Sequence, residues 1–162
     1  MLLHTMRKKL ILTSKEINTL VRLLPKLRWP LPYPVFVALC KSVPLISIDL
    51  AIMPDSKHLL LTYRKDEFYD NWHIPGMILR QNEPVHAKLK RVAMGELGIG
   101  TSNMRFAGYS EYWDVRHYGI GLLFVAQPVG TPRDGEYFYI NRLPKKFLCS
   151  QAPEIKLLRE LK

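Results

Sequence analysis

Trp72-His73-Ile74-Pro75-Gly76, a loop over residues 77–82, Glu83, and then, after seven more residues, Arg91-Val92-Ala93-Met94-Gly95-Glu96-Leu97-Gly98-Ile99 form the stretch that decides how this chain folds. The Pro-Gly pair ends a strand, because proline offers no ladder N–H and glycine takes the turn. From Glu83 to Leu97 the pattern becomes helical: Val85, Leu89, Val92, Ala93 and Leu97 recur on one side, with Lys88, Lys90 and Arg91 largely off it. Gly98 supplies a natural C-terminal stop. A strand, a crossing loop and a helix in this order bring the helix face back beneath the loop.

Upstream, residues 45–52 and 59–64 are β-type runs joined by the turn-forming Pro54-Asp55-Ser56, and the pair reads as a hairpin. Further strands are expected over 104–113, 120–127 and 136–140, and a closing helix over 152–161. Nearer the N-terminus, Thr13-Ser14-Lys15-Glu16 is a capping box, in which the threonine and the glutamate satisfy each other's free backbone N–H groups. It predicts a helix over 14–24, ended by Pro25, with Ile17, Leu20, Val21 and Leu24 as a buried stripe. The alternate prolines of Trp29-Pro30-Leu31-Pro32-Tyr33-Pro34 predict an extended connector, followed by a short helix over 35–41. Helices mixed with hairpin-type strands give an α+β layered domain.

The chain has 162 residues, 48% of them hydrophobic and 23% charged, with 12 prolines and 9 glycines. That is a single domain able to bury a core, and it excludes a disordered chain, a collagen-like repeat and a coiled coil. Cys40 and Cys149 lie far apart with no metal-ligand spacing, so no disulfide framework or zinc site is signalled and a cytoplasmic location is expected. The net charge is +10, and residues 1–43 hold eight Lys/Arg against the single acid Glu16. We read 1–43 as a basic helical extension packing on a domain over 44–162. Its charge is a solvated face or a surface for nucleic acid; contact with a membrane is not expected. Arg7-Lys8-Lys9 ahead of Leu10-Ile11-Leu12 has the order of a secretory leader, but three apolar residues are too few and no cleavage site follows, so no leader is expected. No run approaches the roughly 20 apolar residues that span a bilayer.

The loop and helix resemble the Nudix box, G-x5-E-x7-R-E-U-x-E-E-x-G-U with U apolar. Glu83, Arg91, Glu96, Gly98 and Ile99 match; Met77 replaces the box glycine, and Val92 and Gly95 replace two helical glutamates. One branch lacks the same two acids, and the chain is similar to that GDP-mannose mannosyl hydrolase type. Pro44-Leu45-Ile46-Ser47-Ile48-Asp49 resembles its P-L-V-S-L-D strand, and Arg64 falls eight residues before Trp72, its spacing between a substrate-binding arginine and the W-x-x-P-G turn. The resemblance covers residues 41–127 and implies a Nudix-type α/β/α sandwich with a mixed β-sheet between helices.

It also implies a hydrolase of nucleoside diphosphate sugars that uses Mg²⁺ or Mn²⁺. A divalent ion neutralises the diphosphate, and Mg²⁺ takes only one or two protein carboxylates beside phosphates and water. Glu96 is the expected ligand, with the Met77 main-chain carbonyl carried over from the family's glycine and Glu83 as a further acid. Arg64 would grip diphosphate oxygens bidentately and Asp49 would accept from sugar or base donors. Asp49 has a second reading, as an acid sharing the wet face of an alternating strand with Ser47. Glu83 and Arg91 are expected to brace the loop, Arg91 counting among the catalytic candidates. Release of the sugar by water at its anomeric carbon uses a loop histidine in the resembled enzymes. The corresponding Pro132-Arg133-Asp134-Gly135-Glu136-Tyr137 has none, so Asp134 and Glu136 are the candidate bases, with His117 a further one. Two alternatives stay open: attack at phosphorus giving a nucleoside monophosphate, and a non-catalytic module binding nucleotide or RNA. A homodimer is the expected assembly.

Overall fold

The computed structural model describes residues 12–161. The chain divides into two compact units, residues 1–33 and 34–162. The leader-like pattern over residues 7–11 lies outside the described residues.

In the first unit, α1 (Ser14–Leu23) is followed by a 3-10 turn (Leu24–Lys26). The capping box forms: the Glu16 carboxylate accepts from the Thr13 N–H at 2.7 Å and the Thr13 hydroxyl accepts from the Glu16 N–H at 3.4 Å. The expected burial does not follow, because no residue of α1 is buried. Two short helical segments are too little chain to cover a helix face.

α2 (Tyr33–Ser42) starts at the last residue of the first unit and continues into the second. Tyr33 and Pro34, expected in the connector, instead form its first turn, where the N–H that proline lacks has no intrahelical partner anyway. There follow β1 (Leu45–Ile52), β2 (His58–Lys65), β3 (Asp70–His73), β4 (Gly76–Ile78), α3 (Val85–Arg91), a π-helical turn (Val92–Leu97), β5 (Gly100–Trp113), β6 (Tyr118–Val129), β7 (Glu136–Tyr139), a 3-10 turn (Cys149–Gln151) and α4 (Ala152–Glu160). One mixed sheet has the order β4-β1-β6-β5, with β1 parallel to β6; an antiparallel sheet has the order β3-β2-β7.

The expected hairpin of β1 with β2 is therefore absent. Every residue of β1 from Ser47 to Ile52 is buried, and both of its edges are taken, by β4 and β6. A strand buried on both faces needs cover on each side, which a two-stranded hairpin cannot provide. The Asp55 carboxylate accepts from the Lys57 and His58 N–H groups at 2.7 and 2.8 Å, and this turn sends the chain across to the other sheet.

Alternation along β1 sorts the core into two layers. Ile48, Leu50 and Ile52 pack with Leu89, Val92, Ala93 and Leu97, beneath α3 and the π-helical turn. Ala51 packs with Leu59, Leu61 and Leu123 and with Ile155 and Leu158 of α4. The sheets lie between helices, an α+β sandwich in which Ser47 and Asp49 share the α4 side.

Candidate active site

Glu83 precedes α3, whose N-cap is Pro84. Its carboxylate accepts from the Arg80 N–H at 3.2 Å and pairs with Lys88 Nζ at 2.8 Å and Arg91 Nη2 at 2.7 Å. Lys88 is fully buried, and its ammonium also donates to the Ile78 carbonyl at 2.5 Å. Burial alone would raise the Glu83 carboxyl, but Lys88, the Arg80 N–H and Arg91 outweigh it and hold it below the usual range. Loop and helix are thus clamped by one acid between two cations. The expected single helix changes type at Val92 and becomes π-helical to Leu97, a local widening that often marks functional sites.

Glu96 lies in that π-helical turn, half-buried. Burial, reinforced by the charge of Asp49, pushes its carboxyl up to about 7, against the pull of Lys88, Arg64 and Arg91. Gly98 ends the turn in the left-handed region at φ 69°. Arg133 closes it: its Nε donates to the Glu96 carbonyl at 3.0 Å, its Nη2 to the Gly95 carbonyl, and its own N–H to the Leu97 carbonyl at 2.9 Å. A cation at a helix C-terminus meets carbonyls with no intrahelical donor. Arg133 was not among the expected site residues, yet it ties the loop carrying Asp134 to the turn carrying Glu96.

Asp49 is buried, so its reading as a wet-face acid is corrected; α4 covers that face. Ser47 Oγ donates to Asp49 Oδ2 at 2.6 Å, Gln151 Nε2 to Oδ1 at 3.5 Å, and a third hydrogen bond joins it to Glu154. Burial raises the Asp49 carboxyl to about 6 despite these partners. Glu154, almost fully buried on α4, is raised further by burial and by the Asp49 charge, so it keeps the proton and donates it to Asp49. Ser110 Oγ donates to Glu154 Oε1 at 3.2 Å. Two glycines make room: a Cβ on Gly76 would lie 2.3 Å from Asp49 Oδ1, and one on Gly121 would lie 2.4 Å from Glu154 Oε1. Glu154, Gln151 and Ser110 went unread as members of this cluster, and the only local signal was glycine inside strand patterns.

Arg64, on β2, pairs with Asp66 at 2.6 Å, and its guanidinium lies 4.5 Å from the Tyr69 ring centroid. His73 feels Arg64 and Asp134, but burial is the dominant influence and lowers its pKa, keeping the ring neutral. Its Nδ1 is 2.8 Å from the Ile74 carbonyl, which only an N–H can satisfy, so Nε2 accepts from the Thr62 hydroxyl at 3.2 Å. Neither nitrogen is left to take a proton from water. Asp134 is exposed, its Oδ1 accepting from the Gly135 N–H at 2.8 Å, and Glu136 is exposed opposite Leu61. His117 is buried beneath the β5–β6 turn, 3.3 Å from Asp114 and 3.2 Å from the Tyr112 hydroxyl. The electrostatic coupling joins Glu96 to Asp49, Arg64, Lys88 and Arg91, while Glu83 serves the loop clamp and His117 a separate turn.

Among the described residues no three His, Cys, Asp or Glu side chains converge as a ready metal cage. The Met77 carbonyl belongs to the β1–β4 ladder. The Leu79 N–H donates to the Ile46 carbonyl and the Leu50 N–H to the Pro75 carbonyl, so by the alternation of an antiparallel ladder Ile48 and Met77 between them exchange both backbone bonds. One lone pair remains on that oxygen. A half-buried carboxyl raised by a neighbouring acid is nonetheless relieved by a cation, and Glu96 with one carbonyl fits an ion whose remaining positions go to phosphates and water.

No known family profile matches the chain. It is 34% identical over 79 residues to the low-salt glycan biosynthesis protein Agl8 of Haloferax volcanii, a match covering 48% of this chain and half the length of that relative. Among solved structures, a MutT Nudix hydrolase from Burkholderia pseudomallei superposes with a TM-score of 0.61 at 22% identity, covering 71% of this chain and 98% of that one. The Nudix domain of Shewanella oneidensis NrtR, solved with ADP ribose, gives 0.57 at 14% identity over 80% and 98%. The MutT protein of Methanosarcina mazei gives 0.58 at 16% over 71% and 93%. With a mixed and an antiparallel sheet held between helices, and a strand–loop–helix unit at the centre of the candidate site, the chain has the fold of the Nudix hydrolases.

Proposed function

We propose that the protein is a divalent-metal-dependent hydrolase of nucleoside diphosphate sugars, of the GDP-mannose kind, releasing free sugar and nucleoside diphosphate. The observation that supports this reading is a half-buried acid, Glu96, in the π-helical turn, its carboxyl raised by burial and by the Asp49 charge against the pull of Lys88, Arg64 and Arg91. Mg²⁺ or Mn²⁺, held by Glu96 and the Met77 carbonyl, would supply neutralisation of the diphosphate leaving group. Arg64 grips diphosphate oxygens, exchanging its surface pair with Asp66 for a bidentate one. Asp49, held by hydrogen bonds from Ser47, Gln151 and Glu154, accepts from a sugar or base donor. Glu83 and Arg91 position the loop. Asp134, on the loop that Arg133 fastens to the Glu96 carbonyl, takes the proton of the attacking water, with Glu136 the other carboxylate of that loop. Val92 and Gly95, standing where acids would be needed for attack at phosphorus, favour cleavage at the anomeric carbon.

The exposure of both loop carboxylates favours a second reading, a nucleotide-binding module without turnover. The test incubates the protein with Mg²⁺ and a panel of nucleoside diphosphate sugars. Nucleoside diphosphate plus free sugar, lost in Glu96→Gln, is the expected outcome; binding without turnover would establish the module instead.

A further inference from the structure

The first unit carries a feature that the nucleotide site does not use. Ile17, Leu20, Val21 and Leu24 stand at i, i+3, i+4 and i+7, one face of a helix, and they are 47, 44, 65 and 52% exposed. Lys15 and Arg22, two turns apart, share the opposite face, and Lys26 follows one turn on, in the 3-10 segment. The helix is therefore well capped, sharply two-sided and without a single buried residue. An apolar stripe of this size is stable in water only at a cost, and it marks a contact surface.

From this arrangement we infer that α1 is a surface-seeking helix that docks on an anionic lipid bilayer, lying in the interface with its apolar stripe among the acyl chains and its cations among the headgroups. Charge selects this occupant. Residues 1–33 hold seven Lys/Arg against one acid, and residues 34–162 hold 17 against 13, so a second copy would bring like charge to like charge. Nucleic acid phosphates would engage Lys15, Arg22 and Lys26 and leave the stripe in water, whereas an anionic bilayer takes both faces. No helix among the described residues is long and apolar enough to cross a membrane, so the contact is peripheral. It goes beyond the sequence expectation, which named no membrane contact, and it stands or falls independently of the proposed chemistry.

The experiment is co-sedimentation of the full chain with vesicles of phosphatidylcholine alone and of phosphatidylcholine with 30% phosphatidylserine, at low and high salt. Binding to the anionic vesicles, weakened by salt and at least about tenfold weaker on neutral ones, is expected. Leu20→Glu with Val21→Glu should abolish it, and Lys15→Gln with Arg22→Gln should reduce it by about fivefold per cation removed. Unchanged thermal unfolding of the rest of the chain would confirm that both variants fold. The inference is overturned by no vesicle binding of the wild type, by equal binding to both vesicle types, or by a soluble dimer that Leu20→Glu converts to monomer without any vesicle binding. Tighter binding to a single-stranded RNA probe, insensitive to Leu20→Glu, would assign the cations to nucleic acid and likewise overturn it.

Discussion

At the scale of single residues, the most consequential pair is Asp49 and Glu154, two buried carboxyls that share a proton. Both are raised above their unfolded values, so this pair holds more protons in the folded chain than in the unfolded one above pH 4. The sign follows: the stability this pair contributes is greatest at low pH and is lost as pH rises through about 6, where Asp49 titrates. Glu154→Gln keeps a donor for Asp49 at every pH and should flatten this dependence, a difference on the order of 2–3 kcal/mol between pH 5 and 8 read from urea unfolding. A variant as pH-sensitive as the wild type would count against the shared proton. Gly76→Ala drives a methyl to within 2.3 Å of Asp49 Oδ1 and 2.8 Å of the Ile48 carbonyl, and should cost about 1–3 kcal/mol by the same measurement. Asp49 itself stood out in the sequence as a charge inside an apolar strand. Glu154 did not, because an acid in the first turn of a helix looks like an ordinary surface residue until the helix's seat is known.

Among elements, the loop clamp and the helix closure should separate in their effects. Lys88→Met leaves Glu83 paired with Arg91 alone and strips the Ile78 carbonyl of its donor, so it should destabilise by about 3–5 kcal/mol in denaturant unfolding. Arg133→Ala removes bonds to the Glu96 and Gly95 carbonyls from an exposed side chain and should cost only about 1 kcal/mol. Its larger effect is expected on turnover, lowering kcat with little change in KM, since it sets where Asp134 stands relative to Glu96. Equal losses in stability and rate would show Arg133 to be merely structural. The elements legible in the sequence were those with local causes: the capping box at Thr13, the helix stop at Gly98 and the β-type run of β1. The pairing of β1 with β6, 74 residues away, was not legible, because register between distant strands is settled by which faces find cover. The π-helical turn also escaped, since the 3.6-residue apolar pattern continues through it.

On the scale of the whole molecule, the two units carry different features. Within residues 34–162, Glu96, Asp49 and Arg64 stand on three separate elements and act on one another electrostatically, and the first unit carries an exposed two-sided helix. The strand–loop–helix unit made the fold legible from one stretch of sequence, whereas the site was legible only in part, because Arg133, Lys88 and Glu154 act through contacts made after folding. The central claim is cleavage of the bond between the anomeric carbon and oxygen in a nucleoside diphosphate sugar. The measurement that tests it most directly is mass spectrometry of the nucleotide released with Mg²⁺ in ¹⁸O-labelled water. The account predicts nucleoside diphosphate free of ¹⁸O, the label having entered the sugar; label in a phosphate of the product, or nucleoside monophosphate in its place, would contradict it.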